Sequence, residues 1–199
     1  GFLVLASCLL WLLVRKRTDL LDFFPSVSYL SFNNCAYLYI LLFVLSVLSI
    51  ICRPNLYERP FHYFVIVTLM VFILSYEIIL SKKRNVSFLL LQIIALGINI
   101  SWSQLLIFPG LIGVDPGYHS NLTSQIIQSQ HLPEEGYSYA KFPLFHLIIS
   151  AASLILDTEY KFAAMASVSL AQIICNALFI YLIAFGIFKS HKIGCLSSL

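Results

Sequence analysis

Apolar runs of membrane-crossing length recur along this chain, and they constrain its fold more than any other feature. A helix needs about 20 mainly apolar residues to cross a bilayer. Runs at 36–52, 61–80, 86–108 and 162–188 meet that need, and shorter runs lie at 1–14 and 142–156. The connectors at 53–60, 81–85 and 157–161 are short and polar. Neighbouring spans therefore run antiparallel. The expected fold is all-α, a polytopic transmembrane helix bundle of about six spans. Composition agrees: 60% of residues are hydrophobic and 11% charged, against roughly 25% charged in a soluble domain. The net charge of +3 does not point to nucleic acid, because the basic residues sit in short clusters between apolar runs, where membrane topology accounts for them. The cysteines Cys8, Cys35, Cys52, Cys175 and Cys195 lack metal-ligand spacing and read as small hydrophobes.

Gly1 opens directly into an apolar run, and Leu199 follows soon after another. The expectation is a fragment of a longer protein. Arg15-Lys16-Arg17 and Lys82-Lys83-Arg84 are the densest positive clusters, and the positive-inside rule places both in the cytoplasm. Residues 109–141 then lie outside a multi-pass protein of the cell membrane. With six spans, Lys161 falls inside and Lys189 and Lys192 outside, against the rule.

Three polar stripes follow helical spacing: Gln92, Asn99 and Ser103; His146, Ser150 and Ser153; Ser169, Gln172 and Asn176. Polar groups in lipid seek a protein partner or a wet cavity. Interhelical hydrogen bonds are the first reading and cavity lining the second. Glu77, near one end of its run, is expected to snorkel to the surface or pair with Lys82 or Lys83.

The connector at 109–141 is unlike the others. It is long and holds Asp115, Glu134, Glu135, His119 and His131, and long loops in compact proteins are commonly functional. Asp115-Pro116 reads as a helix start, with the aspartate as cap and proline in the first turn. The helix is expected from Pro116 to about Gln130, with Tyr118, Leu122 and Ile126 as an apolar stripe lying along the membrane surface. Leu132-Pro133 ends it. Asp115 and His119, four residues apart, share a face. Such a pair can contribute to a divalent metal site, but two ligands do not make one. Asn121-Leu122-Thr123 matches a glycosylation acceptor, on a stretch read as helix.

Gly113-Val114-Asp115-Pro116-Gly117-Tyr118-His119 resembles the opening of the first external loop of type C glycosyltransferases. The order of the next elements is similar to that family too: an amphipathic helix, Leu132-Pro133, then Tyr139-Ala140-Lys141-Phe142-Pro143-Leu144-Phe145-His146 entering a span. The closest likeness is to multi-pass archaeal proteins with extra N-terminal helices. The resemblance covers residues 86–156. It divides the chain into N-terminal helices at 1–85, outside the shared core, and the start of that core at 86–199. One departure is plain: Pro116 stands where the family carries a second acidic residue.

The resemblance implies a membrane enzyme that transfers a sugar from a polyprenyl-phosphate donor to an acceptor on the outer face. It makes Asp115 the candidate base or metal ligand. His119 is a candidate to orient Asp115 or share a divalent ion (Mg or Mn). Lys141 is a candidate to neutralise phosphate, Tyr139 to stack on a sugar and His146 to line the cavity. Two other readings stay open. A transporter or channel subunit also carries intramembrane polar groups, although it commonly concentrates them at the midplane. A non-catalytic scaffold would use the amphipathic helix only to seat the loop in membrane lipid.

Overall fold

The computed structural model describes residues 32–80, 85–111, 113–132 and 143–199. The described residues belong to one compact unit, Phe32–Leu199, and every regular element among them is helical. In chain order they are α1 (Phe32–Ile51), α2 (Phe61–Leu80), α3 (Val86–Ile107), α4 (Val114–Ser129), α5 (Leu144–Leu156), α6 (Tyr160–Phe188) and α7 (His191–Ser198). A π turn at Met165–Ser169 interrupts α6. The run at 1–14 and the clusters Arg15-Lys16-Arg17 and Lys82-Lys83-Arg84 lie outside the described residues.

Four helices, α1, α2, α3 and α6, are long and apolar enough to cross a bilayer. Only a minor share of each is buried by the protein itself. Leucine, isoleucine and phenylalanine side chains such as Leu41, Phe72, Leu91, Phe179 and Ile183 stand exposed around the bundle. In water such a surface would aggregate. In lipid it is the required one. Together these helices define a multi-pass helical membrane protein.

The helix α5 has 13 residues. At 1.5 Å per residue it is about 20 Å long, short of a hydrocarbon core about 30 Å thick. The expected span at 142–156 is therefore not one on these grounds. This changes which ends of the bundle go together. Past α5 the chain turns at Asp157, and the ammonium of Lys161 donates to the carbonyl of Phe108, where α3 has just ended. At the other end of α6, Lys192 Nζ donates to Ile79 O at 2.6 Å, beside the end of α2. The six-span count put Lys161 with Lys82-Lys83-Arg84, and Lys189 and Lys192 opposite. The contacts place Lys161 with the end of α3, and Lys192 with the end of α2 that leads into that cluster.

Packing is tightest where α1, α2 and α3 meet. Tyr39, Leu42, Met70, Leu74, Ile78, Leu89, Ile93 and Leu96 form a core that Ala177, Tyr181 and Cys195 complete. Polar fasteners run through it. Tyr63 Oη lies 2.9 Å from Asn99 Oδ1 and 2.8 Å from Ser103 Oγ, and Asn99 Nδ2 donates to Ser46 Oγ at 2.7 Å. The Gln92–Asn99–Ser103 stripe thus faces inward, and two of its members tie three helices together. In Tyr63→Phe, Asn99 loses its donor, and the protein should lose about 1 kcal/mol of stability. Unfolding in mixed detergent micelles measures this. The 53–60 connector is pinned as well. Arg53 donates to Ile50 O at 2.9 Å and Ile107 O at 3.2 Å, closing the C-terminal carbonyls of two helices.

The short helix α7 folds back against α6 and reaches α2 and α3. Its approach depends on Gly194, where a Cβ would stand 2.8 Å from a Tyr181 ring carbon and 3.3 Å from the Tyr181 carbonyl oxygen. The close fit buries Cys195, 1% exposed, and burial pushes its thiol pKa up to about 11. The thiolate is the reactive form, so Cys195 should resist maleimide at neutral pH while exposed Cys52 reacts. Gly194→Ala should cost about 1–3 kcal/mol through overpacking and raise Cys195 labelling, read by mass spectrometry.

Candidate functional site

Glycine begins the local architecture. Gly113 adopts φ +93°, a left-handed value that favours glycine, and serves as the N-cap of α4. Asp115 was expected to be the cap. It lies instead inside the first turn and makes no capping hydrogen bond. Pro116 follows it in that turn, where a missing N–H costs nothing. The Asp115 side chain is 79% exposed and lies near the Nε2 of His119, 3.5 Å from Oδ1. Its carboxylate is thus not used up by backbone.

Below that surface pair, α4 and α5 lie side by side and parallel. His119 meets His146, and Thr123 meets Ser150, each pair separated by 27 positions. The return from Ser129 to Leu144 makes this parallel register possible. Leu122, Thr123 and Ile126 are buried in α4, and His146, Ile149 and Ser150 in α5. Tyr118, expected in the apolar stripe, is 37% exposed. Thr123, the third residue of the sequon, is 1% exposed and donates to His119 O. A buried threonine within a helix is unsuited to glycosylation.

His119 Nδ1 and His146 Nε2 are 2.9 Å apart. The ring of His119 thus presents Nε2 to Asp115 and Nδ1 to His146. A proton on Nε2 suits the carboxylate and leaves Nδ1 to accept from His146 Nε2–H. The three residues form a chain from an exposed carboxylate to a buried imidazole. Phe145 packs edge-on against His119, with ring centroids 5.3 Å apart, and helps set the ring's plane.

Among the described residues no group of three or more His, Cys, Asp or Glu side chains is arranged to hold a metal ion. The geometry explains this for the expected pair. Asp115 and His146 meet opposite nitrogens of His119, so one ion cannot engage all three. Asp115 and His119 alone supply two donors, so an ion held there would take its remaining ligands from water or a substrate phosphate.

Two clefts are lined by sequence neighbours of these three residues, and not by the three themselves. One, of about 360 Å³, lies between α4 and the start of α6 and includes Ser120, Thr123, Ser153, Tyr160 and Lys161. The other, of about 220 Å³, includes Pro116, Phe145, Tyr160, Lys161, Ser169 and Gln172. Tyr160 and Lys161 line both, and Tyr160 lies within electrostatic reach of Asp115. By sequence, Lys161 is an ordinary connector charge and Tyr160 is passed over. A lysine immediately after an aromatic residue at the start of an apolar run was the available signal. The third polar stripe divides: Ser169 and Gln172 line the smaller cleft, whereas Gln172 and Asn176 are exposed rather than buried between helices. The π turn at Met165–Ser169 borders the same cleft, a placement such turns often take. Tyr139 and Lys141 lie outside the described residues.

No family model matches the chain, and no curated protein or solved structure matches it.

Proposed function

We propose that this chain is part of a membrane glycosyltransferase that moves a sugar from a polyprenyl-phosphate donor to an acceptor at the membrane surface. One observation carries the reading. Asp115, His119 and His146, singled out by resemblance to type C glycosyltransferases, meet in one chain of contacts beside two clefts. In the proposed reaction an acceptor hydroxyl or amide attacks the anomeric carbon, and the C–O bond to the polyprenyl phosphate breaks. Asp115 takes the acceptor's proton, as an exposed carboxylate can at neutral pH. His119 holds Asp115 in place, and His146 holds His119. Lys161 lines both clefts and is proposed to turn its ammonium from the Phe108 carbonyl to the phosphate. Lys141 and Tyr139 keep their proposed roles in phosphate and sugar binding. No step is routed through a metal ion.

The proposed orientation puts this site on the outer face. Lys82, Lys83, Arg84, Lys189 and Lys192 then lie at the cytoplasmic end, against Arg53, Arg59 and Lys161 at the other, in keeping with the positive-inside rule. The test is sugar transfer in membranes carrying the complete gene product, offered several polyprenyl-phosphate sugars. Transfer above the level of empty membranes supports the reading. None with any donor, from protein that is correctly inserted, removes it.

A further inference from the structure

Glu77 is 0% exposed. It does not snorkel to the surface, the first of the two expectations from its place near the end of α2; the lysines of the second, Lys82 and Lys83, lie outside the described residues. Around it stand Leu74 and Ile78 of its own helix and the apolar core beyond. Neither carboxyl oxygen makes a hydrogen bond of good geometry, although the Gln92 side chain stands within hydrogen-bonding reach. Gln92 of α3, 4% exposed, lies beside it, and neither atom of its side-chain amide makes one either. The backbone of Gln92 is fixed, since Tyr39 Oη donates to Gln92 O at 2.7 Å.

Four orphan polar atoms thus adjoin in a place without water. An ionised carboxylate there would cost several kcal/mol, and among the described residues none offers it a counter-charge. From α1, Cys35 and Tyr39 face it, and both are neutral. Gln92 of α3 is neutral. From α7, Cys195 is neutral and Lys192 is spent on the Ile79 carbonyl. Among the described residues no cation forms an ion pair with Glu77.

Donor and acceptor arithmetic then selects one state. A carboxylate has acceptors only, so it satisfies the Gln92 N–H but leaves Gln92 Oε1 without a donor. A neutral carboxyl has one O–H. Small side-chain rotations let that O–H donate to Gln92 Oε1 while Gln92 Nε2–H donates to the other carboxyl oxygen. All four atoms are then served. A metal cation fits less well, because a hard ion takes about six oxygens and these two side chains offer three.

We propose that Glu77 and Gln92 form an intramembrane proton-binding site, in which Glu77 is held as the neutral acid and paired with the Gln92 carboxamide between α2 and α3. The inference is independent of the transfer reaction. It assigns a proton-carrying group to the end of the bundle away from the clefts.

Infrared difference spectra of the complete gene product in lipid, against Glu77→Gln, test it. At neutral pH, roughly three units above the ordinary glutamate value, the expected result is a protonated carboxyl C=O band that shifts in D₂O and is missing from Glu77→Gln. Gln92→Leu should move that band, because the carbonyl loses its donor. Glu77→Gln, a neutral isostere, should keep the wild-type melting temperature. A carboxylate band assigned to Glu77 at neutral pH overturns the proposal. So does loss of the protonated band on adding Na⁺ but not choline, which would mark a sodium site.

Discussion

On the proposed transfer reaction, Asp115→Asn should lower sugar transfer by about 10²- to 10⁴-fold, the contribution of a positioned base, while the protein inserts and melts as the wild type does. The two halves of this expectation have separate structural grounds. Asparagine is nearly isosteric and cannot take a proton at neutral pH. The side chain it replaces is 79% exposed and is not the helix cap, which is Gly113. Asparagine would also serve as a helix cap about as well as aspartate, so this variant separates the proton-accepting role from any capping role. Transfer assays paired with thermal melts of the same preparation read both. Full activity in Asp115→Asn would remove the base assignment. Loss of activity together with loss of folding would show that Asp115 supports the loop instead.

On the same proposal, His146→Leu should lower the activity by roughly 2- to 10-fold. The buried imidazole, 2% exposed, meets His119 Nδ1 at 2.9 Å and thereby fixes which nitrogen of His119 faces Asp115. A hydrogen bond between neutral groups is worth about 0.5–1.5 kcal/mol, which converts to that range of rate. His146 acts through His119, so it is a positioning residue. A purely structural role would not be rescued by a second hydrogen-bond donor. The relay predicts that it is: His146→Gln, which keeps a donor near the same place, restores part of the rate. No rescue by glutamine would reduce His146 to packing.

Much of the architecture was legible in the residues. Lipid as solvent asks only for length and apolarity, and both are local properties. The helices α1, α2, α3 and α6 accordingly match the runs read from the chain to within a few residues at most of their ends. Helical spacing also put Gln92, Asn99 and Ser103 on one face, because a face depends on period alone. The amphipathic helix after Gly113 was visible for the same reason.

Other features depended on what lies across from a residue. The residues at 142–156 look apolar enough to span, yet α5 has 13 residues and packs along α4. Hydropathy reports preference for an apolar surrounding and not helix length: Leu144, Leu154, Ile155 and Leu156 stay exposed on α5, and it is the 13-residue extent that falls short of a span. That single difference exchanged the ends assigned to Lys161 and Lys192. Glu77 was read as snorkelling or pairing with Lys82 or Lys83; it is buried at 0% exposure, so it does not snorkel, and the two lysines lie outside the described residues. The cap passed from Asp115 to Gly113 because the backbone entering α4 takes a left-handed turn that side-chain preferences do not reveal.

The sequence by itself therefore determined the solvent, the helices, their inward faces and the acidic loop residue, all of which follow from local chemistry and period. Only the tertiary structure decided that His119 and His146 meet, that Tyr160 and Lys161 line the clefts beside them, and that Glu77 and Gln92 are sealed from water. Those are contacts between side chains separated along the chain, and the register of one helix on another sets them.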